Sequence, residues 1–161
     1  MNAGPEDLPA DDVRDLYREL VLQHARTPQN FGRLPSATHS AEGVNMLCGD
    51  KLALYLDISP EGRIDAIRFA GTGCAISLAS ASLMTEAVEG QLVADALSIG
   101  ARFDAALDRN GNGTLGDSDL AALTAVRRYP SRVRCATLPW RALERAIAGP
   151  ANAESQTVTT E

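Results

Sequence analysis

The chain has 161 residues, 45% of them hydrophobic, a length and composition that suit one domain with a real core and no need of disulfide staples. A formal charge of -6 argues against nucleic acid, because neutralising phosphates needs a basic face, and no run approaches the ~18 apolar residues of a membrane span. The acidic start MNAGPEDLPADD is unlike a basic then apolar secretory signal, so a cytoplasmic location is expected.

Residues 1–10 are rich in small and polar side chains and are expected to be disordered. In the next segment Val13, Leu16, Tyr17, Leu20, Val21 and His24 share one helical face, and the helix should end before Pro28. A strand is expected near Thr38 to Val44. Alternating apolar residues on either side of SPEG in KLALYLDISPEGRIDAIRFAG then predict an antiparallel hairpin. From Ile76 the period changes, with Ala79, Leu83 and Ala87 on one helical face and a stop at Gly90. Further helices are predicted at Leu92 to Leu107, Ser118 to Arg128 and Leu138 to Ala148, with Pro130 breaking the chain ahead of the last. The tail over 150–161 lacks periodicity and is expected to be disordered, leaving a single domain over 11–149. The order of elements indicates an α+β fold, a three-stranded antiparallel sheet covered on one face by about five helices.

The three cysteines stand at the joints of these elements. Cys48, in NMLCGD, follows the first strand. Cys74 lies between a glycine-rich turn and a helix, and Cys135 is expected just ahead of the last helix. Free N–H groups and the dipole at a helix entrance favour thiolates, whose charge a cation would balance. Zinc takes cysteine and aspartate ligands in tetrahedral geometry, and Cys48, Asp50, Cys74 and Cys135 make a set of four, with Gly49 letting Cys48 and Asp50 reach one ion. No CxxC pair occurs, so the spacing by itself leaves open both a metal site and three unrelated thiols.

Taken together, LYRELVLQHARTPQNFGRL, NMLCGD, GTGCAISLASASLMTEAV and YPSRVRCATLPWRALERA resemble the corresponding blocks of the U-type iron-sulfur cluster assembly proteins, and most closely their SufU branch. The resemblance covers about residues 13–148. It implies a SufE/NifU-like fold and a zinc-dependent sulfurtransferase whose Cys48 accepts persulfide sulfur from a cysteine desulfurase of the SufS kind, for use by downstream cluster assembly proteins. The long segment between Cys74 and Cys135 favours SufU over the scaffold branch, as does Arg134, which stands where scaffolds carry a histidine ligand. The alternative it implies is a scaffold on which a [2Fe-2S] cluster, or iron, is held by the same four ligands. On the sulfurtransferase reading Asp50 keeps the metal when Cys48 departs and a desulfurase histidine takes the vacated position. Arg132 matches a position implicated in meeting the desulfurase. Arg132, Arg134 and Lys51 could offset the negative charge of the site, or be solvated surface charges. Met46 departs from the pattern, replacing a proline ahead of the cysteine block.

A second motif spans DRNGNGTLGDSD. Asp108, Asn110, Asn112, Thr114 and Asp119 fall on ligand positions of an EF-hand calcium loop. Two of the early ligands are neutral, Asp119 replaces the usual glutamate and no second loop is present, so a polar turn is the economical reading and a calcium-binding module the lesser one. Neither His24 nor His39 lies near a cysteine in sequence, which gives no support to a Cys–His hydrolase. Trp140 is expected to pack in the core, and the serines of SLASAS to allow close helix packing.

Overall fold

The computed structural model of the chain describes residues 10–108, 115–116 and 118–160. Four α-helices are formed by Ala10–Arg26 (α1), Ala75–Val88 (α2), Val93–Leu107 (α3) and Pro130–Ala148 (α4), with a 3-10 segment at Asp119–Arg128. The strands are His39–Asn45 (β1), Asp50–Ile58 (β2), Ile64–Thr72 (β3) and Gln156–Thr159 (β4). They form one sheet in the order β3-β2-β1-β4.

The sheet follows from alternation. Leu52, Leu54 and Leu56 of β2 and Ile64, Ile67 and Phe69 of β3 are buried, while the residues between them are partly or fully exposed. The β2 and β3 strands pair antiparallel, as do β1 and β2, where Asn45 faces Asp50 across the mouth of a hairpin whose loop is Met46 to Gly49. Helices α2 and α4 cover the buried face, and α1 lies on α2.

Three expectations are corrected. The sheet has four strands and is mixed, because β4 adds to β1 in parallel over Ala41 to Val44. The tail expected to be disordered thus contains a strand. Its residues are Gln-Thr-Val-Thr, rich in β-branched side chains, and they satisfy an edge of β1 that would otherwise present unpaired backbone groups. The third correction concerns α4, which begins at Pro130 rather than near Leu138. Proline fits the first helical position because its missing N–H would have no helical partner there, so Pro130 starts this helix instead of breaking the chain. Of the amino-terminal segment, residues 1–9 lie outside the described residues, and Ala10 is already helical.

The core centres on Trp140, 1% exposed, whose ring stacks on Phe103 at 4.8 Å. The serines of α2 are buried and bonded: Ser80 donates to the Ala136 carbonyl and accepts from Trp140 Nε1 at 3.2 Å. Ser82 Oγ lies 2.7 Å from His24 Nδ1 and accepts the Gln29 N–H at 2.8 Å. His24 is therefore a packed residue that joins α1 to α2, and His39 bonds Thr38 Oγ1 at 2.8 Å. No helix among the described residues is long and apolar enough to cross a membrane.

Candidate metal centre

Each of the four proposed ligands has its own support. The β1–β2 hairpin displays Cys48 on its exposed loop, where Gly49 has φ +73°, a conformation costly to a residue with a Cβ. Space is not the issue, since a Cβ on Gly49 would meet nothing within 4 Å. Gly49 is needed for the turn it makes. Asp50, the first residue of β2, is 1% exposed. Its Oδ1 accepts the Cys74 N–H at 2.8 Å, which satisfies a donor at the start of α2. Cys74 is the N-cap residue of that helix and is partly exposed.

Cys135 departs from expectation. It sits inside α4 rather than ahead of it and is 0% exposed. The helix-entrance argument applies to Cys74 alone. Burial pushes the Cys135 thiol far above the usual thiol range, and hydrogen bonding to Cys48, Cys74 and Asp50 and the charge of Cys74 push the same way.

Cys48, Asp50 and Cys135 offer ligand atoms that all lie within 4.8 Å of one another. Cys135 Sγ lies 3.0 Å from Cys48 Sγ, whereas Cys74 stands outside that set of three, its Sγ 4.0 Å from Asp50 Oδ2. These donors suit a soft divalent cation, because three sulfurs and one oxygen match what zinc or iron accepts from protein. A buried carboxylate among thiols, with no ion pair to a cationic side chain among the described residues, is consistent with a positive ion at their centre.

Three supporting residues were missed in the sequence. Asn45, 1% exposed, accepts the Leu47 N–H at 3.2 Å and points Nδ2 at Cys135 Sγ, 3.6 Å away. An asparagine bonding the backbone two residues on is an Asx turn, the one signal that marked it. Gly73 lets Asp50 approach: a Cβ there would lie 3.0 Å from Asp50 Oδ1 and 2.3 Å from Ser77 Oγ. Ser77, fully buried, bonds the Cys74 carbonyl at 3.1 Å and lies 3.8 Å from its sulfur.

Lys51, Arg132 and Arg134 are exposed. Arg132 stands one turn before Cys135 and borders an apolar groove of about 580 Å³ between α1, the start of α2, the 3-10 segment and α4. The Arg134 carbonyl accepts Thr160 Oγ1 at 3.2 Å. Of the EF-hand positions, Asn110, Asn112 and Thr114 lie outside the described residues; Asp108 follows α3 and Asp119 opens the 3-10 segment.

Residues 16–149 match the family described as NifU-like N terminal domain. The chain is 37% identical to the zinc-dependent sulfurtransferase SufU of Bacillus subtilis, a match covering 83% of this chain and 90% of the relative. It is equally, 37%, identical to the iron-sulfur cluster assembly scaffold protein IscU of Streptococcus pyogenes, over 90% of this chain and 91% of that one. The crystal structure of an iron-sulfur cluster assembly scaffold protein for the SUF system, a SufU, from Fervidobacterium islandicum AW-1 superposes with a TM-score of 0.74 at 30% identity, covering 80% of this chain and 94% of the other.

Proposed function

The chain belongs to the NifU-like N-terminal domain family, and from that premise we propose that it is a zinc-dependent sulfurtransferase of iron-sulfur cluster assembly, with Cys48 as the acceptor of persulfide sulfur. The observation that carries this reading is the asymmetry of the thiols. Cys48 is exposed on a four-residue loop, while Cys135 is enclosed in α4 and Cys74 is tied to Asp50 through its backbone. An acceptor must meet a donor held by another protein, and only the loop thiol stands clear of the helices.

The step conserves electrons. The Cys48 thiolate attacks the outer sulfur of the persulfide on a cysteine desulfurase, the S–S bond of that persulfide breaks, and the desulfurase cysteine leaves as a thiolate. Cys48 then carries the persulfide for a downstream assembly protein. Zinc bound by Cys48, Asp50, Cys74 and Cys135 would hold their sulfurs as thiolates at neutral pH. Asn45 and Gly49 fix the loop that presents Cys48, and Gly73 and Ser77 seat Cys74 against Asp50. Exposed Arg132 and the groove beside it offer a surface to the desulfurase.

A second reading, a scaffold that builds a [2Fe-2S] cluster on the same ligands, is favoured by the donor set itself, since three thiolates suit iron as well as zinc. Arg134 supports the first reading, because scaffolds of the resembling family carry a histidine ligand at that place. Elemental analysis, X-ray absorption and visible spectra of anaerobically purified protein decide between the two. About one zinc per chain with three sulfurs and one oxygen, and no colour, is expected. A coloured, oxygen-sensitive protein containing iron and sulfide would establish the scaffold instead.

A further inference from the structure

Cys135 Sγ lies 3.0 Å from Cys48 Sγ, whereas Cys74 Sγ lies 4.0 Å from Asp50 Oδ2 and 3.8 Å from Ser77 Oγ. We infer that Cys48 and Cys135 form a sulfide-releasing dithiol: when no metal engages Cys135, its thiol cleaves a persulfide on Cys48, expels the outer sulfur as sulfide and leaves a Cys48–Cys135 disulfide. This rests on the reading of Cys48 as persulfide carrier.

Cys135 is fully buried and Cys48 is exposed, so the outer sulfur of a Cys48 persulfide has open solvent to enter while Cys135 Sγ lies 3.0 Å from the inner sulfur's position. Disulfide exchange requires the attacking, central and leaving sulfurs to approach a line. Asn45 steadies both ends, since one carboxamide receives the Leu47 N–H of the loop and points at Cys135 Sγ. The four loop residues Met46 to Gly49 are all exposed, so closing the remaining gap to a bond of ~2.05 Å displaces little buried surface.

The bookkeeping of the step is complete without a further reactant. The Cys135 sulfur bonds to the inner sulfur of Cys48, the bond between inner and outer sulfur breaks, and the electron pair departs with the outer sulfur. Cys135 attacks as the thiolate, so it must first give up the proton that its burial favours keeping, and the departing outer sulfur takes up one proton as hydrosulfide. The outer sulfur is reduced from the sulfane to the sulfide level, and the two cysteines are oxidised by the same two electrons. A single turnover needs no added reductant; a second requires an external dithiol to reopen the disulfide. Engagement of Cys135 by metal withholds the attacking sulfur, so occupancy of the centre decides between passing on sulfane sulfur and giving up sulfide.

The test uses the full-length chain, zinc-loaded and after chelation, charged with inorganic tetrasulfide and desalted. Sulfide is assayed in a single turnover and cysteine-containing peptides are mapped by mass without reduction. In the metal-free protein, sulfide approaching one per chain and a Cys48–Cys135 link are expected, with release at least about tenfold slower in the zinc-loaded protein and in metal-free Cys135→Ser, where the persulfide on Cys48 should persist. A persulfide that survives in the metal-free wild type, a link from Cys48 to Cys74, or a mixture of pairings overturns the inference, and the wild-type map decides even where the variant fails to fold. A parallel arm charges the protein with a cysteine desulfurase and cysteine. If Cys48 gains no sulfur there while the tetrasulfide arm releases sulfide, the proposed function fails and the dithiol stands; the reverse result sinks the dithiol alone.

Discussion

The two walls of the candidate centre are built differently. One is helical: Cys135 lies within α4, whose next turn carries Trp140 into the core, and Cys74 caps α2 with its N–H bonded to Asp50. The other is a hairpin loop, where Met46 and Leu47, 71% and 67% exposed, precede an exposed Cys48, and the loop meets buried groups through the Cys48 sulfur against Cys135 and the Leu47 N–H on Asn45. Ligands on the helical wall cannot move without disturbing the core, whereas the loop can move with little loss of buried surface. On the proposed sulfurtransferase reading, that division would let the site hold an ion while surrendering one thiol.

The most severe way to break the helical wall is through its packing. Trp140→Ala removes the stacking on Phe103 and the bond to Ser80, and should cost about 3–5 kcal/mol, lowering the melting midpoint by about 10 °C and zinc content with it. Calorimetry beside zinc analysis checks this; a variant that melts early but retains all its zinc would show that α4 can loosen without disturbing Cys135.

A sharper cut compares the ligands themselves. Cys135→Ala and Cys74→Ala should each lose most of the zinc and melt about 5 °C lower, because metal binding is coupled to folding. Cys48→Ala, in which water can take the fourth position, should keep most of the zinc and melt within about 2 °C of wild type, yet accept no persulfide. Zinc stoichiometry, melting and sulfur transfer on the three in parallel decide. If Cys48→Ala loses zinc as completely as the others, the two walls are equivalent.

The smallest effect is expected at the outer edge of the sheet. Strand β4 is exposed apart from partly buried Val158, and just beyond it Thr160 donates its N–H to the Val44 carbonyl and its hydroxyl to the Arg134 carbonyl, each at 3.2 Å. Deleting residues 156–161 should leave zinc content unchanged and shift melting by about 2 °C or less. Loss of zinc in that truncation would mean that the edge strand, and not Asn45 alone, holds the hairpin loop in place.

Legibility differed along the chain for physical reasons. The hairpin was readable around SPEG because alternation of Leu52, Leu54 and Leu56 against exposed neighbours is a local property of half-buried strands. Helix α3 was readable within a residue for the same kind of reason, an apolar periodicity that packing exploits. The start of α4 was not: proline both opens and interrupts helices, and only the packing of the turns around Cys135 shows which role Pro130 plays. Strand β4 was invisible because a four-residue edge strand is stabilised by its partner β1, and its own composition resembles that of a polar tail. Serine roles were legible only as permission for close packing, while their partners, such as the Ala136 carbonyl for Ser80, lie far away in sequence.

By itself the sequence determined the donor types of the candidate centre, three thiols and the carboxylate of Asp50, and the hairpin and helix beside Cys48 and Cys74 but not the helix that carries Cys135, because ligand chemistry and hydrophobic period are properties of residues and short windows. Which donors meet is another matter. The 3.0 Å contact joins residues separated by 87 positions, and the burial of Cys135 and the exposure of Cys48 arise from how α4 lies across β1 and β2. Only the tertiary structure decided these, since long-range proximity and desolvation depend on the whole packed chain and on no local pattern within it.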